Sequence, residues 1–523
     1  MNRTGITVVG DVFRENAQRF ADKPAFVTAD GVGRSFSEVH NRVVRLVSAL
    51  RSFGLSKGDR VAILSKNCIE YVEVYGISMA GFIPVPLNWR LSNREMSAVL
   101  EDCRPTVLIF DEAFRSVVVL LKVELSFSTR FIRLGKSDSD FTGYEDVLGA
   151  TKEEVIIAAV DPDDTACILY TSGTTGLPKG AELTNRGLLA NCRTAIDAVL
   201  HLTADDISMA PMPLFHVGGM WYHLFPSFAA GCTTVLLPEF NPRSVLDLMQ
   251  EHRVTNIHLV PAMIHALLQQ SDVKEFDLSQ LRLIFYAASC IPAELLRSAT
   301  LLFSHCGFVQ GYGSTECGMI SCLTEEDHRT ASKPGRDALL LSCGRSLAGV
   351  EIRFDLAAHG SDDDIGELVV DSPMTMARYW KNQGSTRAVM TNGWLRTGDL
   401  GRRDSEGYLY IIDRKSDMIV TGGEKVYPRE VEEMLFQLPE VSDAAVFDLP
   451  DNRWVQMVVA AVVLKNGSAA TPDDIIAQLK KRLASYKCPK QIFITTALPK
   501  NGAGKLLRKV LRTTYANHGG NGR

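Results

Sequence analysis

The sequence has little of what marks a membrane-spanning, secreted or nucleic-acid-binding protein. No apolar run approaches the roughly 20 residues needed to cross a bilayer, and stretches such as Ala166–Tyr170 and Val458–Leu464 are far too short. The N-terminus, MNRTGITVVGDVFREN, carries acids early and has no apolar signal core. No secretory peptide is read there, and the cytoplasm is the expected compartment. Charge of one sign is also missing. A formal net charge of -5 over 523 residues provides no bulk attraction for nucleic acid or an anionic membrane. The eleven cysteines, scattered from Cys68 to Cys488, include no C-x-x-C pair. Reduced thiols fit that pattern better than a disulfide framework or a zinc site. Cys317 and Cys322, without histidines at ligand spacing, read as packing residues. There is no internal repeat and, apart from a glycine-rich tail after Asn517, no low-complexity segment.

What is present is an ordinary globular composition, 46% apolar and 22% charged, on a chain long enough to need two or more domains. Asp11 is placed to cap a helix with Val12, Phe13, Ala17 and Phe20 on its apolar face. Ser35 with Glu38 and Ser92 with Glu95 read as capping boxes opening two further helices. Strand-like runs at 61–64, 83–87 and 106–110 alternate with helical ones, and the alternation resumes between 233 and 286. Strands separated by helices mean an α/β sheet with parallel segments. From about Gly344, short strands between Gly, Asp and Ser turns indicate a small β subdomain. The charged string Asp413-Arg414-Lys415-Ser416-Asp417 reads as a linker. The expected architecture is a large N-terminal α/β domain with a small β subdomain, residues 1–414, followed by a smaller, mobile α+β C-terminal domain, residues 415–523.

The stretch Tyr170–Gly187, YTSGTTGLPKGAELTNRG, gathers hydroxyls (Thr171, Ser172, Thr174, Thr175), glycines (Gly173, Gly176, Gly180) and Lys179 behind an apolar strand end. Glycines let the backbone approach a ligand, hydroxyl and amide groups bond phosphate oxygens, and the lysine adds a point charge. The Walker pattern G-x-x-x-x-G-K-[ST] is not met, because two residues part Gly176 from Lys179 and glycine follows the lysine. A polyphosphate is the expected ligand. For the loop alone, the alternative is a glycine-rich surface turn.

Further strings follow in order: PLFHVGG from Pro213, QGYGSTE from Gln310, RTGD from Arg396, Asp413-Arg414 with GGEK from Gly422, and PKNGAGK from Pro499. Together with the phosphate loop, and over nearly the whole chain, they resemble the adenylate-forming superfamily, most of all its fatty-acyl and aryl-CoA synthetases. The resemblance implies ATP, Mg²⁺ and coenzyme A as cofactors and a reaction in two steps. A carboxylate attacks the α-phosphate of ATP to give an acyl-adenylate, and a thiol then displaces AMP. By the same resemblance Thr171, Ser172, Gly173, Thr174, Thr175 and Lys179 hold the β- and γ-phosphates, Glu316 holds Mg²⁺, and Thr315 contacts the α-phosphate. Asp399, assisted by Arg414, accepts from the ribose hydroxyls. Ala288, Ser289, Gly311 and Tyr312 frame the adenine. Lys505 touches both the attacking carboxylate and the nucleotide, which would hold the reactants in attack geometry. Gly422, Gly423 and Glu424 form the CoA-side loop, brought up by rotation about Ser416.

Several positions depart from the family pattern. Ser416 stands where Asp or Lys is usual at the pivot, and Ala503 where Thr or Ser precedes Gly504-Lys505. Val455-Gln456 replaces Gly-Glu after the tryptophan, and Glu182 and Asn185 stand where an apolar residue and a histidine are common. An acid at 182 is unfavourable beside a triphosphate if it points inward. His216 occupies the place of the aspartate that amino-acid-activating relatives carry, so an α-amino acid would lack its ion pair. A gating or pocket role is expected for it. The acid pocket is expected among Phe215, His216, Met220, Trp221, Phe225, Ala287, Ala288, Gly311 and Gly313, suiting a bulky fatty, aryl or polycyclic acid. Three alternatives stay open: a ligase loading a carrier protein, an enzyme that mainly thioesterifies a supplied acyl-adenylate, and a catalytically silent nucleotide-binding homologue. The expected partners are a small-molecule acid, ATP or AMP, and CoA, with no nucleic acid and no membrane span; a homodimer is left open.

Overall fold

The computed structural model describes residues 5–151, 159–171, 178–289, 291–356, 364–452, 454–500 and 506–516. Both capping boxes form. Ser35 and Glu38 exchange backbone and side-chain hydrogen bonds at the start of the helix Phe36–Ser52, as Ser92 and Glu95 do at Asn93–Cys103. Asp11 caps from inside the first turn rather than ahead of it. Its carboxylate accepts from the Thr7 and Val8 N–H groups at 2.9 and 3.0 Å, so the helix begins at Val9. The helix Arg115–Glu124 was not expected. RSVVVLLKVE is apolar on nearly every side and hides the 3.6-residue period, and Val123 is in fact 85% exposed.

The strand–helix alternation yields two sheets with parallel cores. In a nine-stranded sheet, Thr233–Leu236, Ile207–Ala210, Asn256–Leu259, Leu283–Tyr286 and Gly307–Ser314 are successive parallel neighbours. A second, wholly parallel sheet is built from Ile83–Pro86, Arg60–Leu64, Val107–Phe110, Arg130–Arg133 and Thr142–Gly143. Runs such as Val107–Phe110 and Leu283–Tyr286 are apolar throughout and fully buried, as strands covered on both faces must be. The carboxyl ends of Leu283–Tyr286 and Gly307–Ser314 open onto one cleft, where ligands of parallel sheets bind.

Antiparallel sheets complete the molecule. Thr165–Thr171, Lys179–Thr184 and Arg378–Tyr379 form one of three strands. The β region after 344 supplies another, including Glu351–Asp355, Gly366–Asp371, Trp394–Arg403 and Leu409–Arg414. Strands beyond Ile419 make a separate sheet whose helices Pro428–Phe436 and Pro472–Leu479 bury Val431, Leu435, Ile475 and Leu479 against it.

Ser416 sits exposed in the turn between the last two sheets. Lys415 pairs backwards with Glu367 at 2.9 Å, and Asp417 pairs forwards with Arg508 at 3.2 Å. Across the turn, the buried Asp413 carboxylate accepts from the Arg429 N–H at 2.9 Å in the first turn of Pro428–Phe436. Burial pushes that carboxyl up to about 6, against the opposing pull of Arg508. No helix among the described residues is long and apolar enough to cross a membrane.

Candidate active site

Thr165–Thr171 and Lys179–Thr184 are the arms of a hairpin in which Thr171 stands opposite Lys179. The expected phosphate ligands Ser172, Gly173, Thr174 and Thr175 lie outside the described residues. Glu316 occupies the turn after Gly307–Ser314, where its N–H donates to Ser314 Oγ at 3.2 Å and its carbonyl accepts from the Met376 N–H at 2.8 Å. This fixes its carboxylate toward the hairpin. Glu316 Oε1 accepts from the Tyr379 hydroxyl at 2.9 Å and from Thr171 Oγ1 at 3.3 Å, and the Lys179 ammonium lies 5.4 Å from the centre of the Tyr379 ring. Thr171, Lys179 and Glu316 are thus brought together as expected, around a tyrosine that no motif announced.

Asp399 and Arg414 are opposite each other in the ladder between Trp394–Arg403 and Leu409–Arg414. Arg414 Nε lies 2.6 Å from Asp399 Oδ1, and the Tyr312 hydroxyl donates to Oδ2 at 2.6 Å. Burial, and then the Asp399 charge, push the Tyr312 phenol well above its ordinary value, so it keeps its proton and stays a donor. Ala288 is left-handed, with φ 74°, a conformation costing a non-glycine residue about 1–2 kcal/mol. This backbone strain sits at the expected adenine slot.

These groups line a cleft of about 1360 Å³. Ala288, Ser289, Tyr312, Asp399 and Arg414 stand on one side, and Asp443, Lys500, Leu506 and Arg508, from beyond the Ser416 turn, on the other. Lys505 lies outside the described residues, but the residues bracketing its segment, Lys500 and Leu506, both belong to the cleft wall. Lys500 is anchored there by Asp443 at 2.5 Å. Gly422, Gly423 and Glu424 form a hairpin turn outside that wall, with Gly422 and Gly423 at φ 58° and 90° and the Trp454 ring against Gly422. Val455 is also left-handed, at φ 66°.

The acid side requires corrections. Trp221 and Phe225 are core residues: Trp221 packs edge-on against Tyr75, with ring centres 5.3 Å apart, and Phe225 lies 4.8 Å from Trp221 and 6.3 Å from Phe13. Met220 and Ala287 are likewise buried, and none of these four lines the cleft. Gly311 and Gly313 do line it, but their smallness serves packing. An added Cβ would lie 2.8 Å from the Phe285 ring at 311 and 2.0 Å from the Gly318 carbonyl at 313. Phe215 is buried, its ring 4.5 Å from that of His216. Burial, with Arg90 adding, pushes the His216 imidazole down to about 4, and among the described residues its buried Nε2 has no hydrogen-bond partner. A ring that is neutral at pH 7 neither pairs with a carboxylate nor serves readily as a general acid. Thr315 borders a small space beside Val217, Trp221 and Met374.

Two departures from the family pattern find structural partners. Glu182, 1% exposed, accepts from Arg378 at 2.9 and 3.2 Å and from Thr165 Oγ1 at 2.9 Å. Its charge is therefore neutralised inside the three-stranded sheet. Asn185 Oδ1 accepts from the Val9 N–H at 2.9 Å and Nδ2 donates to the Asp164 carbonyl at 3.2 Å, bracing the first helix. Both depend on partners far away in sequence, which local patterning does not reveal.

A family model described as AMP-binding enzyme matches residues 13–380, and the AMP-binding enzyme C-terminal domain matches 430–505. The chain is 34% identical over 503 residues to a feruloyl-CoA synthase from an Amycolatopsis species, covering 95% of this chain and 97% of that one. It is 33% identical over 509 residues to the fatty acid–[acyl-carrier-protein] ligase ScoC of Streptomyces coeruleorubidus, covering 96% and 95%. ATP-bound MatB from Rhodopseudomonas palustris shares the fold with a TM-score of 0.87, at 28% identity, over 97% of this chain and 99% of that chain. With well over half of its length matched, the chain belongs to the AMP-binding enzymes, in the acyl-CoA synthetase branch of the adenylate-forming superfamily.

Proposed function

We propose that this protein is an ATP-dependent carboxylic acid:CoA ligase acting on a bulky, largely hydrophobic acid. The observation that carries the proposal is the meeting across one cleft of Tyr312, Asp399 and Arg414 with Lys500 and Leu506, which bracket Lys505. Asp399, held on both oxygens by Arg414 and Tyr312, offers a fixed acceptor to the ribose hydroxyls. Lys179 and the hairpin tip receive the outer phosphates. Glu316, oriented by Thr171 and Tyr379, suits Mg²⁺, which is commonly held by one or two protein carboxylates together with phosphate oxygens and water. When bound, the cation would neutralise charge on the departing pyrophosphate. Lys505 is assigned to the attacking carboxylate and the α-phosphate, where a cation stabilises the charge that gathers as two anions join. His216, neutral and packed on Phe215, is assigned to shaping the entry of the acid.

We assign residues 1–414 to acid and ATP binding and 415–523 to a mobile domain that first presents Lys505 and then Gly422–Glu424. Lys415, the first residue assigned to the mobile domain, is tied back to Glu367 of the N-terminal one, while Asp417 beyond the pivot is tied to Arg508 of its own domain. Rotation about Ser416 then has to break the contact of Asp413 with Arg429. Coenzyme A is the proposed acceptor. A carrier-protein phosphopantetheine is the second reading, favoured by the ScoC relative. Purified protein, ATP, Mg²⁺ and a panel of fatty, aryl and polycyclic acids, offered CoA or a phosphopantetheinylated carrier, separates the two by the mass of the thioester formed. Acyl-CoA formation is expected; exclusive loading of the carrier would replace the first reading with the second.

A further inference from the structure

Behind the residues assigned to the phosphates lies a second row of contacts. In a strand, successive side chains leave on opposite faces. Thr171 and Tyr379, the two hydroxyl donors to Glu316 Oε1, therefore each have a chain neighbour that turns to the opposite face, Tyr170 and Trp380. Both neighbours go to one place, the carboxyl end of the helix Asn93–Cys103. The Tyr170 hydroxyl donates to Asp102 Oδ2 at 2.5 Å, and Trp380 Nε1 donates to the Asp102 carbonyl oxygen at 3.2 Å. Their rings pack on the core of the second parallel sheet, which includes Val85 and Phe110.

The helix end suits this docking. The last carbonyls of a helix have no partner within it; here Trp380 takes that of Asp102, and Arg60 Nε donates to that of Cys103 at 2.8 Å. The Arg60 guanidinium also lies over the Trp380 ring, 5.6 Å from its centre. Burial, and then the neighbouring Cys103 and Asp102, push the Tyr170 phenol well above its ordinary value, so it keeps its proton and donates. The ring crosses Gly180, its partner in the hairpin ladder, where an added Cβ would come within 3.0 Å of Tyr170 Cζ and 2.7 Å of Ile168 Cγ2. The glycine that follows Lys179 thus makes room for the tyrosine. The Trp380 N–H extends the ladder by donating to the Gly180 carbonyl at 2.7 Å.

Resting on the assignment of Glu316 and the hairpin to the outer phosphates and their cation, we propose that Asp102 is a positioning residue for that end of the nucleotide. It fixes Tyr170 by its carboxylate and Trp380 by its carbonyl. Through one backbone step from each, it sets where the hydroxyls of Thr171 and Tyr379 meet Glu316. The two donors come from distant segments of the chain, and a common anchor holds both at one carboxylate oxygen. Outer-shell partners of this kind tune affinity without touching the ligand.

The test is calorimetric binding to the full chain of two ligands that differ at that end: β,γ-methylene-ATP with Mg²⁺, and AMP without it. Asp102→Ala removes the carboxylate acceptor and leaves the carbonyl. It is expected to raise the Kd of the Mg²⁺ complex about tenfold while leaving that of AMP unchanged. Tyr170→Phe, which keeps the ring, is expected to do the same, and the double variant to be no worse than either alone, because all three delete one bond. Asp102→Asn retains an acceptor and is expected to recover most of the loss. Unchanged binding of the Mg²⁺ complex by Asp102→Ala, equal weakening of both ligands, or a loss in Asp102→Asn as large as in Asp102→Ala overturns the proposal. Should Asp102→Ala fail to fold, Tyr170→Phe decides by the same comparison. Glu316→Gln keeps the two readings apart. If it leaves binding of the Mg²⁺ complex unchanged, the assignment of Glu316 to the cation fails; a selective loss in Asp102→Ala then still supports the positioning role, through Thr171, and its absence overturns that role too. If the wild-type chain binds neither ligand, both readings fail.

Discussion

Around the nucleotide residues the carboxylates are paired: Asp399 with Arg414 and Tyr312, Glu316 with Tyr379 and Thr171, Glu182 with Arg378 and Thr165. Beneath the Pro213–Gly219 loop the buried groups are neutral histidines instead, and among the described residues His216, His223 and His258 each keep a ring nitrogen without a partner. The difference fits what each half is proposed to handle. Charge that builds on phosphates must be met by groups already oriented, because reorienting them during the reaction would raise the barrier. A neutral acyl chain is distinguished by shape and by a few hydrogen bonds, which suits neutral, aromatic surroundings in the half proposed to receive it.

Removing charge from the first half is expected to have the largest effects. Lys505→Ala should cost about 10² or more in adenylation while sparing CoA transfer from a supplied acyl-adenylate; equal loss of both steps would remove it from its assigned role. Asp399→Ala strands Arg414 and frees Tyr312. Hydrogen bonds to charged groups are worth roughly 1.5–3 kcal/mol, so the KM for ATP in pyrophosphate exchange should rise about 10- to 100-fold, and an unchanged KM would disconnect the pair from the nucleotide. Tyr379→Phe deletes one of the two hydroxyls that the described residues place on Glu316 Oε1. About a tenfold loss is expected, partly recovered by raising Mg²⁺, and indifference to Mg²⁺ would count against the assignment of Glu316.

The second half should respond to protons rather than to ATP. His216, His223 and His258 are held down to about 4, 4 and 3, chiefly by burial. The unfolded rings take up protons near 6.5 while the folded rings stay neutral, so stability is full above that pH and falls as pH drops toward 4. The loss should be under about 1 kcal/mol per histidine at pH 6, read as a decline in Tm by calorimetry between pH 7.5 and 6. A flat Tm would mean that the rings are more solvated than the structure shows. The smallest change belongs to neither half. Val455 is a β-branched residue at φ 66°, and Val455→Gly should raise stability by about 1 kcal/mol through relief of that conformation; a lower Tm would show that the valine is compensated.

The parts of this site that were legible in sequence are those whose chemistry is local. The capping boxes at Ser35 and Ser92 need only a spacing of three residues, and Thr171, Lys179, Glu316, Asp399 and Arg414 sit in strings recognisable by composition alone, their roles being those proposed above. Tyr379 was missed because it lies in no such string and acts on Glu316 from 63 residues away. Trp221 and Phe225, expected beside the acid because they follow the Pro213–Gly219 string, pack instead against Tyr75 and Phe13, partners from a distant part of the chain that local composition does not announce. Glycines 311 and 313 were read as room for a substrate, whereas Phe285 and the Gly318 carbonyl already occupy the space. A small residue signals a close neighbour as readily as an open pocket.

The most direct test of the account is acid-dependent ATP–pyrophosphate exchange without CoA, run beside acyl-CoA formation on the same acids. Exchange with at least one bulky acid, and conversion of that acid to its CoA thioester when CoA is added, is the predicted result. Absence of exchange across the panel, with a synthetic acyl-adenylate still converted to acyl-CoA, would contradict it and leave an enzyme of the second step alone.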